Sequence, residues 1–147
     1  MELGDSATEV GEMATEHPNA ALIRESFAAM EQGDVQWLED HVADDVVWHV
    51  GGNSRAAGEY RGKDAAMQLF GATTGGSSSR IDVHDVLAND DHTVVLGTAH
   101  FEAPDGDSVD YRYVNVFHIR DGRVTEVWGM AENDAVTDPF FDKLAPA

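Results

Sequence analysis

The stretch from Arg80 to Met130 most constrains what this chain can fold into. Four long β-like segments follow one another there, with a tight turn signal after each of the first three. Arg80–Ala88 runs into Asn89-Asp90-Asp91, and His92–Ala103 into Pro104-Asp105-Gly106-Asp107. Ser108–Arg120 then runs into Asp121-Gly122 before Arg123–Met130. Turns this short join antiparallel neighbours, so a four-strand meander is expected. A sheet with one apolar face must bury it against something. The cover has to come from the upstream half of the chain.

That half reads as helix, helix, strand, helix. The first helix opens near His17-Pro18-Asn19, and Leu22, Ile23, Phe27 and Met30 recur at helical spacing. Gly33-Asp34 ends it, and Asp34 is placed to cap a second helix carrying Val35, Leu38 and Val42 on one face. Asp44-Asp45 is expected to close that helix, and Val46–Val50 to form the first strand, broken by Gly51-Gly52-Asn53-Ser54. A loop leads to Tyr60 and a third helix over roughly Lys63–Ala72. The run from Gly75 to Ser79 reads as a flexible connector. Residues 1–17 read as a mobile acidic tail and 18–147 as a single domain. The fold class is therefore α+β.

Composition narrows the partners. The chain has 28 acidic and 9 basic side chains, a formal net charge of -19. Such a surface repels phosphate backbones and anionic lipid, so neither nucleic acid nor a membrane is expected as a partner. The acidity reads either as that of an ordinary acidic cytoplasmic protein or as a halophile-like surface, screened by counterions at high salt. Cysteine is absent, which removes disulfides and thiolate chemistry. No basic stretch followed by an apolar run opens the chain, and a cytoplasmic location is expected. The seven histidines show no His-x-His or His-x-x-x-His spacing, so no metal site is expected. Gly75-Gly76 precedes a strand rather than opening a helix, so no phosphate loop is expected.

Several segments together resemble the nuclear-transport-factor-two-like superfamily, especially its SnoaL-like polyketide cyclase and ketosteroid-isomerase-like branch. They are the run from Phe27 to Asp34, Ala43-Asp44-Asp45-Val46-Val47-Trp48, Gly58-Glu59-Tyr60-Arg61-Gly62, and the run from His118 to Val124, with Trp128, Asp134 and Phe140 behind them. The resemblance spans about residues 18–142. It implies a cone-shaped barrel: a curved, mainly antiparallel sheet wrapped around three helices, with an apolar pocket inside. It also implies a homodimer paired through the open sheet face and chemistry without a cofactor. The same fold hosts isomerases, cyclases, epoxide hydrolases and non-catalytic binding domains, so it does not select among them.

Alternation along Ser108–Arg120 puts Tyr111, Tyr113, Asn115, Phe117 and Ile119 on one face, expected to be the concave one, with Asp110, Arg112, Val114, Val116 and His118 opposite. Asn115 then sits among apolar side chains, where a ligand oxygen or another protein group must satisfy its amide. The ketosteroid isomerase pattern carries an acid at the position matching Asn115 and a carboxylate base at the position matching Val50, so the steroid-type proton shuttle is not expected here. SnoaL-like cyclases resemble this chain in carrying an aspartate in the C-terminal region, which makes Asp134 the candidate acid/base. Its alternative role is to cap a short helical turn beginning at Ala135. His49 is the reserve base, reaching the pocket only if a bulge at Val50-Gly51 turns it inward. Tyr113, Trp48, Tyr60, Phe70, Phe117 and Trp128 join Asn115 as candidate contacts for a small apolar molecule. Limonene epoxide hydrolase resembles a further option, an arginine between two aspartates. Asp110 with Arg112 and Arg80 with Asp82 have the residue types, but Met130 stands where the closing carboxylate should be. Surface ion pairing is the better reading of both pairs.

Overall fold

A computed structural model describes residues 16–74 and 78–144, without the side chains of 70–74 and 78. The expected tail falls outside these residues except for Glu16 and His17, as does most of the connector expected at 75–79. The described elements are α1 (Pro18–Gln32), α2 (Val35–His41), β1 (Val42–Val50), β2 (Gly58–Arg61), α3 (Lys63–Thr74), β3 (Ser78–Ala88), β4 (Thr93–Glu102), β5 (Ser108–Arg120), β6 (Arg123–Ala131) and α4 (Asp134–Leu144).

Local chemistry sets most of the boundaries. The His17 ring accepts from the Asn19 N–H at 3.1 Å, and Pro18 occupies the first turn of α1, where a missing N–H costs nothing. Gly33 ends that helix in the left-handed conformation, φ 71°. The Asp34 carboxylate then caps α2 by accepting from the Trp37 N–H at 3.0 Å. α2 stops at His41 rather than at Asp44-Asp45, and β1 begins at Val42, four residues earlier than expected. Ala43 and Val46 are buried while Asp44 and Asp45 stay exposed, and a register shift between Val42 and Val47 absorbs the two charged residues. The segment expected as a loop before Tyr60 is instead β2, an antiparallel edge strand pairing Trp48 with Tyr60 and Val50 with Gly58.

The sheet order is β2-β1-β6-β5-β4-β3. β3 to β6 form the expected meander, and β1 lies parallel to β6. The β5–β6 turn has positive φ at Asp121 (54°) and Gly122 (74°), as a two-residue type I′ hairpin needs. At the β3–β4 turn the Asn89 side chain accepts from the N–H groups of Asp91 and His92. Register shifts at Val83/Asp85 and His118/Ile119 mark where this open sheet is irregular. α1 packs on β3 and β4, α3 on β1 and β2, and α4 on β5. Ile23, Val46, Val95 and Val127 are fully buried between the layers. Four helices, not three, are present among the described residues. The residues expected as a short helical turn form the eleven-residue α4, whose cap is Asn133 rather than Asp134: the Ala135 N–H donates to the Asn133 side chain at 3.1 Å.

Candidate functional site

Between the concave sheet face and the helices lies a cavity of about 1070 Å³. That is just above the usual range for small-molecule sites. Phe27 of α1, Met67 of α3, Trp48 of β1, Phe101 of β4, Tyr111 of β5 and Phe141 of α4 all line it. Tyr111 stacks on Phe101 with centroids 6.2 Å apart, and Phe141 meets both edge-on. The apolar wall is thus a locked aromatic cluster rather than a set of independent rotamers.

The cavity's polar groups include Arg24 and Glu31 of α1 and Arg80 and Asp82 of β3, besides those of β5 and α4. Tyr113 and Asn115 both face inward. Tyr113 pairs with Gly97 across β4, and a Cβ on Gly97 would stand 2.6 Å from the phenol oxygen and 2.4 Å from the Asp82 carbonyl oxygen. Glycine there lets the Tyr113 ring lie over β4. Its hydroxyl is buried without a hydrogen-bond partner among the described residues. Burial, followed by the charge of Asp82, pushes the phenol up to about 12. Burial also raises Tyr111, with Tyr113 as the smaller contributor.

Three carboxylates repeat every fourth residue along α4, Asp134, Asp138 and Asp142, and the first two line the cavity. Two of them hold the loop after β1. The Asn53 N–H donates to both oxygens of Asp138 at 3.1 Å, and the Arg55 N–H donates to Asp142 at 2.6 Å. The Arg55 guanidinium also reaches the Asp142 carbonyl. Gly52 fits this junction because a Cβ would stand 2.6 Å from Asp138 Oδ1 and 3.4 Å from Asp134 Oδ1. Asp134 lines the cavity and makes no hydrogen bond or ion pair through its carboxylate among the described residues. An unpaired carboxylate beside an apolar hollow is suited to exchanging a proton with whatever occupies it.

Residues 23–127 match the SnoaL-like domain. The chain belongs to the SnoaL-like family. An uncharacterized protein of Mycobacterium tuberculosis is 29% identical to it over 129 residues, covering 86% of this chain and 98% of the relative. Among solved structures, Bal32a from a soil-derived mobile gene cassette has a TM-score of 0.78 at 26% identity, covering 83% of this chain and 95% of that one. IdmH, a candidate polyketide cyclase from Streptomyces antibioticus, has a TM-score of 0.69 at 19% identity, with coverages of 85% and 99%. The fold is that of the nuclear-transport-factor-two-like group, which also appears among the structural neighbours.

Within this SnoaL-like fold the expected site residues separate into groups. Trp48, Tyr113, Asn115 and Asp134 converge on the cavity. Tyr60 shares the Trp48 face, but its hydroxyl donates to the Ala56 carbonyl at 2.6 Å and it does not line the cavity. Phe117 faces inward below the cavity floor, 6% exposed in the solid core. The Phe70 side chain lies outside the described residues. Trp128 departs from expectation. It pairs with Val116, whose side chain points outward, and therefore lies on the convex face. His49 is beside it, stacked at 5.0 Å, with Nε2 2.6 Å from Glu126 Oε2. The bulge that would turn His49 inward is absent at Val50-Gly51, since Trp48, His49 and Val50 pair in unbroken register with β6. The epoxide-hydrolase arrangement is not formed among the described residues. Exposed Arg112 pairs with Glu132, Asp110 with His100, and Arg80 with Asp82. Sequence reasoning missed the loop-holding role of Asp138 and Asp142. Their spacing of four was visible, but their target, the Gly51–Arg55 backbone, is more than 80 residues away.

Proposed function

We propose that the chain catalyses cofactor-independent proton transfer, of cyclase or isomerase type, on a neutral apolar carbonyl compound. The observation that carries this reading is Asp134: a carboxylate without a partner among the described residues, on the rim of an aromatic-walled cavity whose floor holds an amide and a phenol. Asp134 would take the proton from carbon next to the substrate carbonyl and return it elsewhere. Asn115 and Tyr113 would steady the oxygen that gains charge. His49 has no part in this chemistry, because it is engaged with Glu126 on the other face. The candidate cyclase IdmH shares the fold and agrees with this reading.

The test is exchange of the α-protons of 2-tetralone in D2O, followed by NMR. The parent protein is expected to accelerate exchange. Asp134→Asn should lose roughly 100-fold or more of that acceleration, the usual scale for removing a positioned base. An Asp134→Asn protein that exchanges as fast as its parent removes Asp134 from the role. A parent without any acceleration favours a non-catalytic ligand-binding module.

The convex face supports a second reading, as an assembly surface. By register, Leu87, Val94, Val116 and Trp128 form one row across it, and Leu96, Val114 and Met130 another. Leu87, Leu96 and Met130 are 50%, 39% and 46% exposed. Adjacent apolar side chains left in water favour contact with a second copy of this chain.

A further inference from the structure

Five of the seven histidines lie on the convex face of the sheet: His49, His84, His92, His100 and His118. His49 of β1 pairs with Trp128 and His118 of β5 with Glu126, both in the outward register of Val116. The His92 ring packs on His118 with centroids 4.9 Å apart, and His84 reaches the outward Thr98 hydroxyl at 3.4 Å. The other two, His17 and His41, are engaged at helix ends.

Three of the five stand against carboxylates. His49 Nε2 is 2.6 Å from Glu126 Oε2, and His118 Nδ1 is 3.5 Å from Glu126 Oε1. His100 Nδ1 is 2.7 Å from Asp110. Glu126 has no arginine or lysine partner among the described residues. Beside it on β1 is Val47, and beyond Val47 on β2 is Arg61, which is paired with Glu59. The Trp128 indole touches both imidazoles, stacked on His49 at 5.0 Å and edge-on to His118 at 4.8 Å. Trp128 belongs to the outer apolar row, so the two histidines and Glu126 border that row directly.

Covering this face would strip the remaining water from Glu126. A carboxylate taken out of water needs a charged partner, and a neutral imidazole offers it only a hydrogen bond. Protonating His49 makes the pair neutral, and histidine changes charge between about pH 5 and 8. The same chemistry selects the occupant. A basic partner is met best by open carboxylates and is repelled by imidazolium. A face whose acids are shadowed by histidines suits an acidic partner, and this chain itself carries a net charge of -19. In a two-fold contact the same patch enters twice, so Glu126 of both copies is desolvated together.

We infer that the convex face closes on a second copy of this chain as a proton-gated contact, shut when His49 and His118 are protonated around Glu126 and open when they are neutral. This rests on the assembly reading of that face. The apolar rows attract at either pH, and the imidazoles decide whether the anionic border lets them meet. Closing takes up protons, so the dimer tightens as pH falls through the histidine range and loosens as pH rises through it.

The experiment is sedimentation analysis of the full chain at about pH 8 and about pH 5.5. Both series are run in molar KCl, where screening over about 3 Å removes the general repulsion between acidic surfaces. The parent should dimerise at least tenfold more tightly at the lower pH. Glu126→Gln removes the charge that needs cancelling and should hold the two affinities within about threefold of each other, both near the parent's tighter value. Replacing His49 and His118 together by Gln removes the titrating groups and should leave association weak at both pH values. A parent that dimerises equally at both pH values overturns the gate and leaves the assembly reading standing. So does a full parental pH dependence in either variant. A parent that stays monomeric under every condition overturns both.

Discussion

Among the described residues two buried hydroxyls lack partners, those of Thr93 and Tyr113. Thr93 is 1% exposed on β4, opposite Phe117. A buried hydroxyl without a hydrogen bond carries its desolvation penalty uncompensated. Thr93→Val is therefore expected to raise the unfolding free energy by about 1 kcal/mol, measured by urea denaturation. Tyr113 makes a pH prediction. Its phenol sits at about 12 in the folded protein against 10.0 when free, so between these values the unfolded chain has released a proton that the native one retains. Stability should fall as pH rises through that window, and Tyr111, raised by its own burial, acts in the same direction. Absorbance of the phenolates near 295 nm, followed together with circular dichroism, would show the two titrating late or only with unfolding. Two tyrosines ionising freely at pH 10 with the fold intact would contradict the burial account. The inward direction of both rings could be read in the sequence, because alternation along β5 decides it within one strand. That Gly97 lets Tyr113 lie across β4 could not be, because it depends on pairing Gly97 with Tyr113.

The β1–β2 loop and α4 act as one unit, and Asp138 and Asp142 are the joints. Asp138→Ala removes the acceptor of the Asn53 N–H. Hydrogen exchange at Asn53 should accelerate at least tenfold, roughly the 1.4 kcal/mol equivalence of tenfold in an equilibrium. Asp142→Ala should do the same at Arg55 while leaving Asn53 protected. If both amides respond equally to either change, the loop opens as one piece and the joints are not independent. Legibility differs sharply between elements. The meander was clear because its turns use residues with strong local preferences, such as Asp121-Gly122. β2 was not, because four residues containing a glycine and two charges carry no alternation, and only pairing with β1 makes them a strand. Trp128 was misassigned for a related reason. Parity within β6 separates its two faces, but naming the concave one requires the Trp128–Val116 register. His49 follows the same strand rule correctly: Val50 lines the cavity and its neighbour does not.

At the scale of the whole molecule, a net charge of -19 opposes both compactness and association. The described positive charges are largely committed locally, as Lys143 is to Asp105 and Asp107 and Lys63 to Asp44. The unbalanced remainder must be screened by ions. The screening length falls from about 10 Å at 0.1 M salt to about 3 Å at 1 M, shorter than most distances between surface carboxylates. The melting temperature is therefore expected to rise between dilute buffer and molar KCl. The same screening acts on the proposed self-association. Its contact is the apolar double row on the convex face, but two copies must bring two anionic surfaces together to close it. Hydrophobic burial gains modestly from such salt, whereas like-charge repulsion collapses, so the dimer should tighten as KCl rises. Sedimentation analysis of the parent and of Leu96→Glu separates the two effects. Leu96 is exposed at the middle of the sheet, beside Val114, and its replacement puts a charge inside the contact without disturbing the buried layer. The variant should be monomeric at every salt concentration yet keep the parent's salt-dependent rise in melting temperature, provided both are compared as monomers at low protein concentration. A dimer that survives Leu96→Glu places the contact elsewhere. A melting temperature indifferent to KCl means the acidity is simply tolerated rather than adapted to salt.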